Sequence, residues 1–271
     1  MVEIAVDSLV HVYAEGAVRA LDGIDLRIGP GERVALIGQN GSGKTTLVRH
    51  LNGLLRPTAG AVRLDGADAA GLTVARLAAR VGLVFQDPDR QIFSGSVRSE
   101  VEFGARNLGI RDGARHAAAA MALRATGLEG EEATNPYDLG GARRKLLALA
   151  SVLAMETPVL VLDEPTTGQD ADGVERVGAI VESVSATGRT VIAISHDMRF
   201  VAEAFERVVV MRAGRVILDG SPTTVFAPDA SALLGSSFLE PPHAAVVGGR
   251  LGLGSTPTDA SLVEALRTRP G

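Results

Sequence analysis

The chain of 271 residues contains no cysteine and no tryptophan, and aromatic residues make up only 3% of it. Without cysteine it can form no disulfide, no thiolate metal site and no cysteine nucleophile. Because aromatic side chains are scarce, a core has to be built from Val, Leu, Ile and Ala. The hydrophobic content of 46% suffices for one large α/β domain with a small appendage.

An excess of positive charge and long apolar runs are also missing. The net charge of −5 argues against broad nucleic-acid binding and against adhesion to anionic lipid. Residues 1–7 lack the basic and apolar regions of a signal peptide. The longest uncharged apolar stretch, residues 146–155, is too short to span a bilayer. We therefore expect a soluble cytoplasmic protein that meets a membrane only through a partner.

The chain does contain a glycine-rich segment, GQNGSGKT, at residues 38–45. Apolar residues 33–37 before it predict a buried strand, and residues 46–51 predict a helix start. This setting is typical of a phosphate-binding loop, because glycines let successive N–H groups turn toward an anion at a helix N-terminus. Lys44 can reach the β- and γ-phosphates, and the Thr45 hydroxyl can ligate Mg²⁺. The predicted nucleotide-binding residues are Gly38, Asn40, Gly41, Ser42, Gly43, Lys44, Thr45 and Thr46.

Apolar strands alternate with helices over residues 1–222. Strands are predicted at residues 4–6, 9–13, 21–28, 81–85, 159–162 and 190–194, helices at 114–126, 146–155 and 171–187, and a terminal hairpin at 208–218. The alternation predicts a mostly parallel sheet with its chemistry at the carboxyl ends of the strands. Beyond residue 222 the chain becomes rich in Gly, Ala and Pro. We therefore place a boundary there and predict a small appendage at residues 223–271.

Five more polar or aromatic residues are expected near the loop, each with a simpler alternative. After a buried strand, Asp163 can hold Mg²⁺ and Glu164 can polarise a water against the γ-phosphate, although acidic residues also favour a helix's first turn. His196 follows another strand and can contact a γ-phosphate oxygen, although a lone histidine is more often structural. The Gln86 amide can bind Mg²⁺ and the attacking water, but means little alone. Tyr13 can stack on a purine or simply fill the core.

Together, the order and spacing of these residues resemble the ATPase subunits of ABC transporters over residues 1–220. The resemblance implies a P-loop core with a mostly parallel sheet, an antiparallel β subdomain and a helical subdomain at about residues 87–157. It implies ATP and Mg²⁺ as ligands, with Tyr13 stacking on adenine and Glu164, His196 and Gln86 as the catalytic residues. Residues 165–170 are similar to the family's dimer-contact loop.

Two further segments narrow the resemblance. Residues 85–91, FQDPDRQ, and residues 101–109, VEFGARNLG, resemble the energy-coupling factor branch, which imports vitamins and transition-metal ions. The tail, residues 239–266, is similar to that branch's C-terminal extension, which helps to pair two ATPase subunits. The implied partners are a second ATPase subunit, a transmembrane coupling protein and a substrate-binding membrane protein, without nucleic acid. The implied location is peripheral, on the cytoplasmic face of the cell membrane.

One segment departs from the family. Its signature, Leu-Ser-Gly-Gly-Gln, caps the ATP bound on the opposite subunit. Counted back from the Asp-Glu pair without gaps, it corresponds to Leu139, Gly140, Gly141, Ala142 and Arg143. Gly140 removes the serine hydroxyl, Ala142 adds a methyl group where close backbone approach is wanted, and Arg143 places a cation where an amide usually stands. Another register keeps the glycine pair with a one-residue insertion, but replaces the serine with Leu139.

This combination of intact local motifs and an altered signature favours an asymmetric heterodimer, in which the weaker site lies on the partner's phosphate loop. Gln169, where the family usually has leucine, is a milder change. The alternative is that the backbone N–H groups suffice and a second copy of this chain is the partner. The basic run at residues 143–145 is predicted to form a solvated first helical turn, with a contact to nucleotide from the partner side as the alternative. Two competing functions are a soluble ABC ATPase, disfavoured by the acidic balance, and a regulatory, weakly hydrolysing partner.

Overall fold

Two sheets organise the computed structural model, which describes residues 2–268 apart from residues 14, 15 and 17. The strands are β1 (Ile4–Tyr13), β2 (Val18–Ile28), β3 (Arg33–Ile37), β4 (Ala59–Leu64), β5 (Ala67–Asp68), β6 (Val81–Val84), β7 (Val159–Asp163), β8 (Thr190–Ile194), β9 (Arg207–Arg212) and β10 (Arg215–Gly220). The helices are α1 (Lys44–Leu51), α2 (Val74–Ala78), α3 (Val97–Asn107), α4 (Asp112–Thr126), α5 (Gly141–Leu153), α6 (Ala171–Ala186), α7 (Met198–Ala204), α8 (Pro222–Val225), α9 (Ser231–Gly235), α10 (His243–Arg250) and α11 (Asp259–Thr268).

The larger sheet has the strand order β10-β9-β3-β8-β7-β6. Its strands β9, β3, β8, β7 and β6 pair in parallel, and only β10 is antiparallel to its neighbour in the described part of the chain. The smaller sheet, β2-β1-β4-β5, is antiparallel throughout. The helices α3, α4 and α5 lie between β6 and β7 in the chain. The predicted α/β class, with a mostly parallel sheet and an antiparallel β subdomain, is confirmed.

The larger sheet is buried on both faces, which explains why its strands are continuous apolar runs. Successive side chains of a strand point to opposite faces. In β3, Ala35 and Ile37 join the buried cluster that includes the helices α3–α6, whereas Val34 and Leu36 join the cluster shared with the smaller sheet. The same alternation occurs in β7 and β8.

The parallel register brings four strand ends to one edge of the larger sheet. Ile194 at the end of β8 pairs with both Leu36 in β3 and Asp163 in β7. Val84 at the end of β6 pairs with Leu162 in β7. The segments that follow β3, β6, β7 and β8 therefore emerge side by side, which is where ligands bind in open α/β sheets.

The predicted elements differ most from the structure at two places. The two early strands are one, because β1 runs through Ser8, whose φ of 44° produces an irregularity in the pairing rather than a break. Helix α5 begins at Gly141, five residues before the predicted start. Glycines are poor helix formers, so the sequence pattern placed the start at the apolar run instead.

The C-terminal segment packs partly on the larger sheet and its helices. Val225, Phe226 and Leu234 belong to the same buried cluster as the helix-facing side of the larger sheet. Helix α11 instead has no buried side chain among its described residues, and its Asp259 lies 3.3 Å from the guanidinium of Arg199 in α7. A division near residue 222 stays a prediction.

Among the described helices, none combines the length and the apolar character that crossing a bilayer requires.

Candidate functional site

The glycine-rich loop connects the end of β3 to the start of α1, as predicted. Gly38, Gly41 and Gly43 have φ values of 150°, 80° and 105°, which disfavour residues with a side chain. At two of these positions there is also no room for a side chain. A Cβ at Gly38 would lie 2.2 Å from the Met211 carbonyl oxygen, and one at Gly43 would lie 2.6 Å from that of Ala20. The glycines therefore allow the loop to pack against β2 and β9 while its backbone turns toward the cavity.

Lys44 is the first residue of α1 and is only 6% exposed. Its ammonium group donates hydrogen bonds to the carbonyl oxygens of Gly38 and Gln39, at 2.5 and 3.1 Å. Burial lowers the pKa of Lys44, whereas the nearby charges of Glu164 and Asp163 raise it. The loop thus holds a buried cation beside a helix N-terminus, an arrangement that favours a phosphate group.

Thr45 and Asp163 supply oxygen ligands of the kind that Mg²⁺ prefers. The Thr45 hydroxyl lies 3.2 Å from Oδ2 of Asp163, which is 4% exposed at the end of β7. Burial raises the pKa of Asp163, so a cation at this place would offset an unfavourable desolvation. The exposed Gln86, just beyond β6, lines the same cavity. The donor set fits a hard divalent cation.

Glu164 and His196 are in direct contact. Oε1 of Glu164 lies 2.9 Å from Nε2 of His196, and Oε2 accepts a hydrogen bond from the His196 backbone N–H at 3.3 Å. Burial raises the pKa of Glu164 to about 7, and burial also lowers the pKa of His196. Near neutral pH the contact is therefore a hydrogen bond with a neutral imidazole rather than a fixed ion pair. A carboxyl group that titrates near the working pH suits a general base.

Tyr13 stands at the end of β1 and lines the same cavity. Its hydroxyl lies 3.3 Å from the Thr46 hydroxyl, and its ring packs edge-on against His11 with centroids 4.4 Å apart. His11 in turn contacts the buried His50 of α1, at 3.1 Å between ring nitrogens. The Tyr13 ring is thus held in place by His11, and it is half-exposed where it lines the cavity.

These residues share one cavity of about 300 Å³. Of the predicted site residues, it is lined by Tyr13, Asn40, Gly41, Ser42, Gly43, Lys44, Thr45, Thr46, Gln86, Asp163, Glu164 and His196. Gly38 contributes to the same loop through the carbonyl that Lys44 contacts. Sequence reasoning missed Val18, Arg19, Ala20 and Ile194 in the lining, since nothing in their side-chain chemistry marks them.

The altered signature lies at the N-terminus of α5, and none of its residues is among those that line the cavity in the described part of the chain. Leu139 is buried, whereas residues 140–143 are exposed. Gly140 is the N-cap of α5 and provides no side-chain cap. Arg143 pairs with Glu131 at 2.8 Å, and the Ala142 carbonyl accepts a hydrogen bond from Gln169 at 3.0 Å. The segment therefore presents an open helix N-terminus to solvent.

The expectation of a solvated basic turn at residues 143–145 is wrong for Lys145, which is 7% exposed. Its ammonium group donates to the backbone carbonyl oxygens of Glu164 and Thr167, at 2.7 and 3.0 Å. The sequence did set Lys145 apart from its neighbours. Lys44 and Lys145 are the only two lysines among the 27 lysine and arginine residues of the chain.

Comparison with known proteins gives a consistent result. A sequence profile of the family described as ABC transporter matches residues 21–167. A putative ABC transporter ATP-binding protein of Methanosarcina acetivorans is 42% identical over 239 residues, which cover 88% of this chain but only 38% of that protein. The energy-coupling factor transporter ATP-binding protein EcfA of Methanothermobacter thermautotrophicus is 39% identical over 256 residues, covering 94% of this chain and 81% of EcfA.

Solved structures agree. CbiO1 of Clostridium perfringens, described as part of the ABC transporter complex cbiONQ, has a TM-score of 0.74 at 37% identity, covering 86% of this chain and 94% of CbiO1. The dimeric cassette MJ0796 bound to ADP and Pi has a TM-score of 0.73 at 25% identity, covering 80% and 98%. The predicted resemblance is confirmed: the chain belongs to the ABC transporter family, within the branch of energy-coupling factor ATP-binding proteins.

Proposed function

We propose that the chain binds and hydrolyses Mg-ATP as one subunit of an ATPase dimer that drives an energy-coupling factor importer. The observation that carries the proposal is the single cavity that unites Lys44, Asp163 and the Glu164–His196 pair. The proposal is supported by the glycine-rich loop, the oxygen atoms of Thr45 and Asp163, and a carboxyl group with a pKa of about 7, which all lie at adjoining strand ends.

Each side chain has a distinct role in this proposal. The loop amides and Lys44 hold the β- and γ-phosphates, and Tyr13 stacks on the base. Thr45, Asp163 and Gln86 would hold Mg²⁺, which offsets negative charge on the phosphate oxygens when bound. Glu164, whose Oε2 accepts a hydrogen bond from the His196 backbone N–H, takes the proton of the attacking water. The His196 imidazole would turn from Glu164 to donate its single N–H to a γ-phosphate oxygen when ATP is bound.

The membrane partners are inferred from the relatives and from an exposed aromatic pair. Phe93 and Phe103, 60% and 39% exposed, pack edge to face with centroids 4.6 Å apart in the segment that follows Gln86. Exposed aromatic residues are frequent anchors of protein interfaces. We infer that Gln86 and residues 87–104 meet a transmembrane coupling protein. The chain would then lie on the cytoplasmic face of the membrane, and a separate membrane protein would select the vitamin or metal ion.

In a heterodimer whose partner has an intact signature, the altered signature of this chain would make the two ATP sites unequal. Gly140 offers no hydroxyl to the partner's γ-phosphate, whereas the residues that serve this chain's own ATP form one compact group. We therefore favour a heterodimer in which this chain's phosphate loop carries the stronger site. A regulatory, weakly hydrolysing subunit is the second candidate, because the same signature would also weaken a homodimer at both sites.

Coexpression of this chain with the proteins of the neighbouring reading frames tests the proposal. We expect a polytopic membrane protein and a second ATPase subunit to copurify, and Mg-ATPase activity to be higher in the complex than in the chain alone. ATP binding without hydrolysis in the complete complex would support the regulatory candidate instead. Stimulation by RNA or DNA, without any membrane partner, would favour a soluble ABC ATPase.

A further inference from the structure

Lys145 contacts the backbone of Glu164 and is not among the residues that line the nucleotide cavity in the described part of the chain. The chain uses lysine only twice, and both ammonium groups, those of Lys44 and Lys145, interact with the charges of Asp163 and Glu164. Lys44 lines the cavity, whereas Lys145 extends from helix α5 to the backbone carbonyl oxygen of Glu164. A compact ammonium group suits this position, because it presents three donors without the planar fork of arginine.

The Glu164 backbone is held in an unusual conformation. Its φ of 53° lies in the left-handed region, which residues other than glycine adopt rarely. The Glu164 N–H donates to the Ile194 carbonyl oxygen at 2.9 Å, and its own carbonyl oxygen accepts from Lys145 at 2.7 Å. The two peptide groups that flank this residue are thus fixed by β8 on one side and by α5 on the other.

A second hydrogen bond connects the same two segments. Gln169 donates from its side-chain amide to the Ala142 carbonyl oxygen at 3.0 Å, while Lys145 also binds the Thr167 carbonyl oxygen at 3.0 Å. Residues 164–169 are therefore attached to the first turn of α5 at three carbonyl oxygens. We call this set of contacts, made by Lys145 and Gln169, the clasp.

We propose that Lys145 is a positioning residue for hydrolysis, which fixes the Glu164 backbone to the first turn of α5. This inference rests on the proposed function. That turn begins with the signature segment, which would face the partner's ATP. The clasp would therefore join the signature segment and Glu164, this chain's own catalytic base, into one rigid unit. Docking of the signature on the partner's ATP would then orient Glu164, so each site would respond to occupancy of the other.

The substitution Lys145→Met, assayed in the assembled complex, tests the proposal. It removes the donors but keeps the length and apolar character of the side chain. We expect kcat for Mg-ATP to fall about 10- to 100-fold, a part of what a well-placed general base contributes. We expect KM for ATP to change little, because Lys145 does not line the cavity in the described part of the chain. Arg124→Met, which removes an exposed cation on α4, is the matched control and should leave both constants unchanged.

The decisive comparison repeats Lys145→Met in a chain that already carries Glu164→Gln. A residue that acts through Glu164 should have almost no further effect on the residual hydrolysis there. Equal losses in both backgrounds, or an unchanged kcat in the otherwise intact chain, would overturn the proposal. If the Met variant does not assemble, Lys145→Arg replaces it, and a smaller loss with the same dependence on Glu164 is expected. If the unsubstituted complex does not hydrolyse ATP at all, the proposed function itself is wrong, and the proposed role of the clasp is wrong with it.

Discussion

Replacing Gly140 by serine should raise ATP hydrolysis at the partner's site. The backbone of Gly140, with φ −63° and ψ 159°, is the conformation that a serine N-cap adopts. A Cβ at this position would meet no atom within 4 Å in the described part of the chain. The serine therefore fits without rearrangement, and its hydroxyl stands at the exposed N-terminus of α5.

The expected magnitudes separate a catalytic effect from a structural one. Serine in place of glycine at an N-cap changes stability by only a few tenths of a kcal/mol. A hydrogen bond to a charged group contributes about 1.5–3 kcal/mol, which corresponds to a gain of about 10- to 150-fold in kcat/KM if it forms with the γ-phosphate in the transition state. A change in rate of this size cannot arise from the cap alone.

The assay uses a complex in which this chain also carries Glu164→Gln, so that the residual hydrolysis reports the partner's site. Gly140→Ser is compared with Gly113→Ser, because Gly113 in α4 is equally exposed and its Cβ would also meet nothing within 4 Å among the described residues. If the partner is a second copy of this chain, the comparison is made with Glu164 intact. A residual rate unchanged by Gly140→Ser, in a complex that assembles normally, would refute the reasoning.

Two other predictions concern Tyr13, which lines the cavity, and the buried His50. Tyr13→Ala should raise KM for ATP about 5- to 150-fold, the equivalent of about 1–3 kcal/mol of base stacking, while Tyr13→Phe stays close to the unsubstituted chain; equal effects of the two variants would exclude stacking. Burial lowers the pKa of His50 from 6.5, so the unfolded chain takes up a proton there at higher pH than the folded chain does. The contribution of neutral His50 to stability is therefore present above about pH 6.5 and is lost as the pH falls. Between about pH 7.5 and pH 5.5, the melting temperature of the His50→Gln variant should fall less than that of the unsubstituted chain. Parallel falls in both proteins would contradict this assignment.

The features that the sequence predicted correctly are those set by local pattern. The glycine-rich loop could be recognised between a strand and a helix because three glycines, which adopt positive φ, stand within the six residues that precede Lys44. The residues Asp163 and His196 follow apolar runs, and in a parallel sheet the ends of such runs meet at one edge. The α/β class and the family followed from these patterns together.

The features that the sequence did not predict depend on packing between distant segments. The run at residues 143–145 consists of three basic residues, and charge alone does not show which of them turns inward. Lys145 is buried because the turn of α5 that carries it packs against the carbonyl oxygens of Glu164 and Thr167. The start of α5 at Gly141 was missed for a similar reason, since tertiary contacts override the low helix propensity of its glycine.

We propose that this chain's own site performs most of the hydrolysis in the dimer, with Glu164 as the base. The most direct measurement is the steady-state Mg-ATPase rate of the assembled complex with Glu164→Gln in this chain, compared with the equivalent substitution in the partner. We expect a loss of about 100-fold or more from Glu164→Gln, with ATP binding retained, and a smaller loss from the partner's substitution. A larger loss from the partner's substitution would contradict the claim.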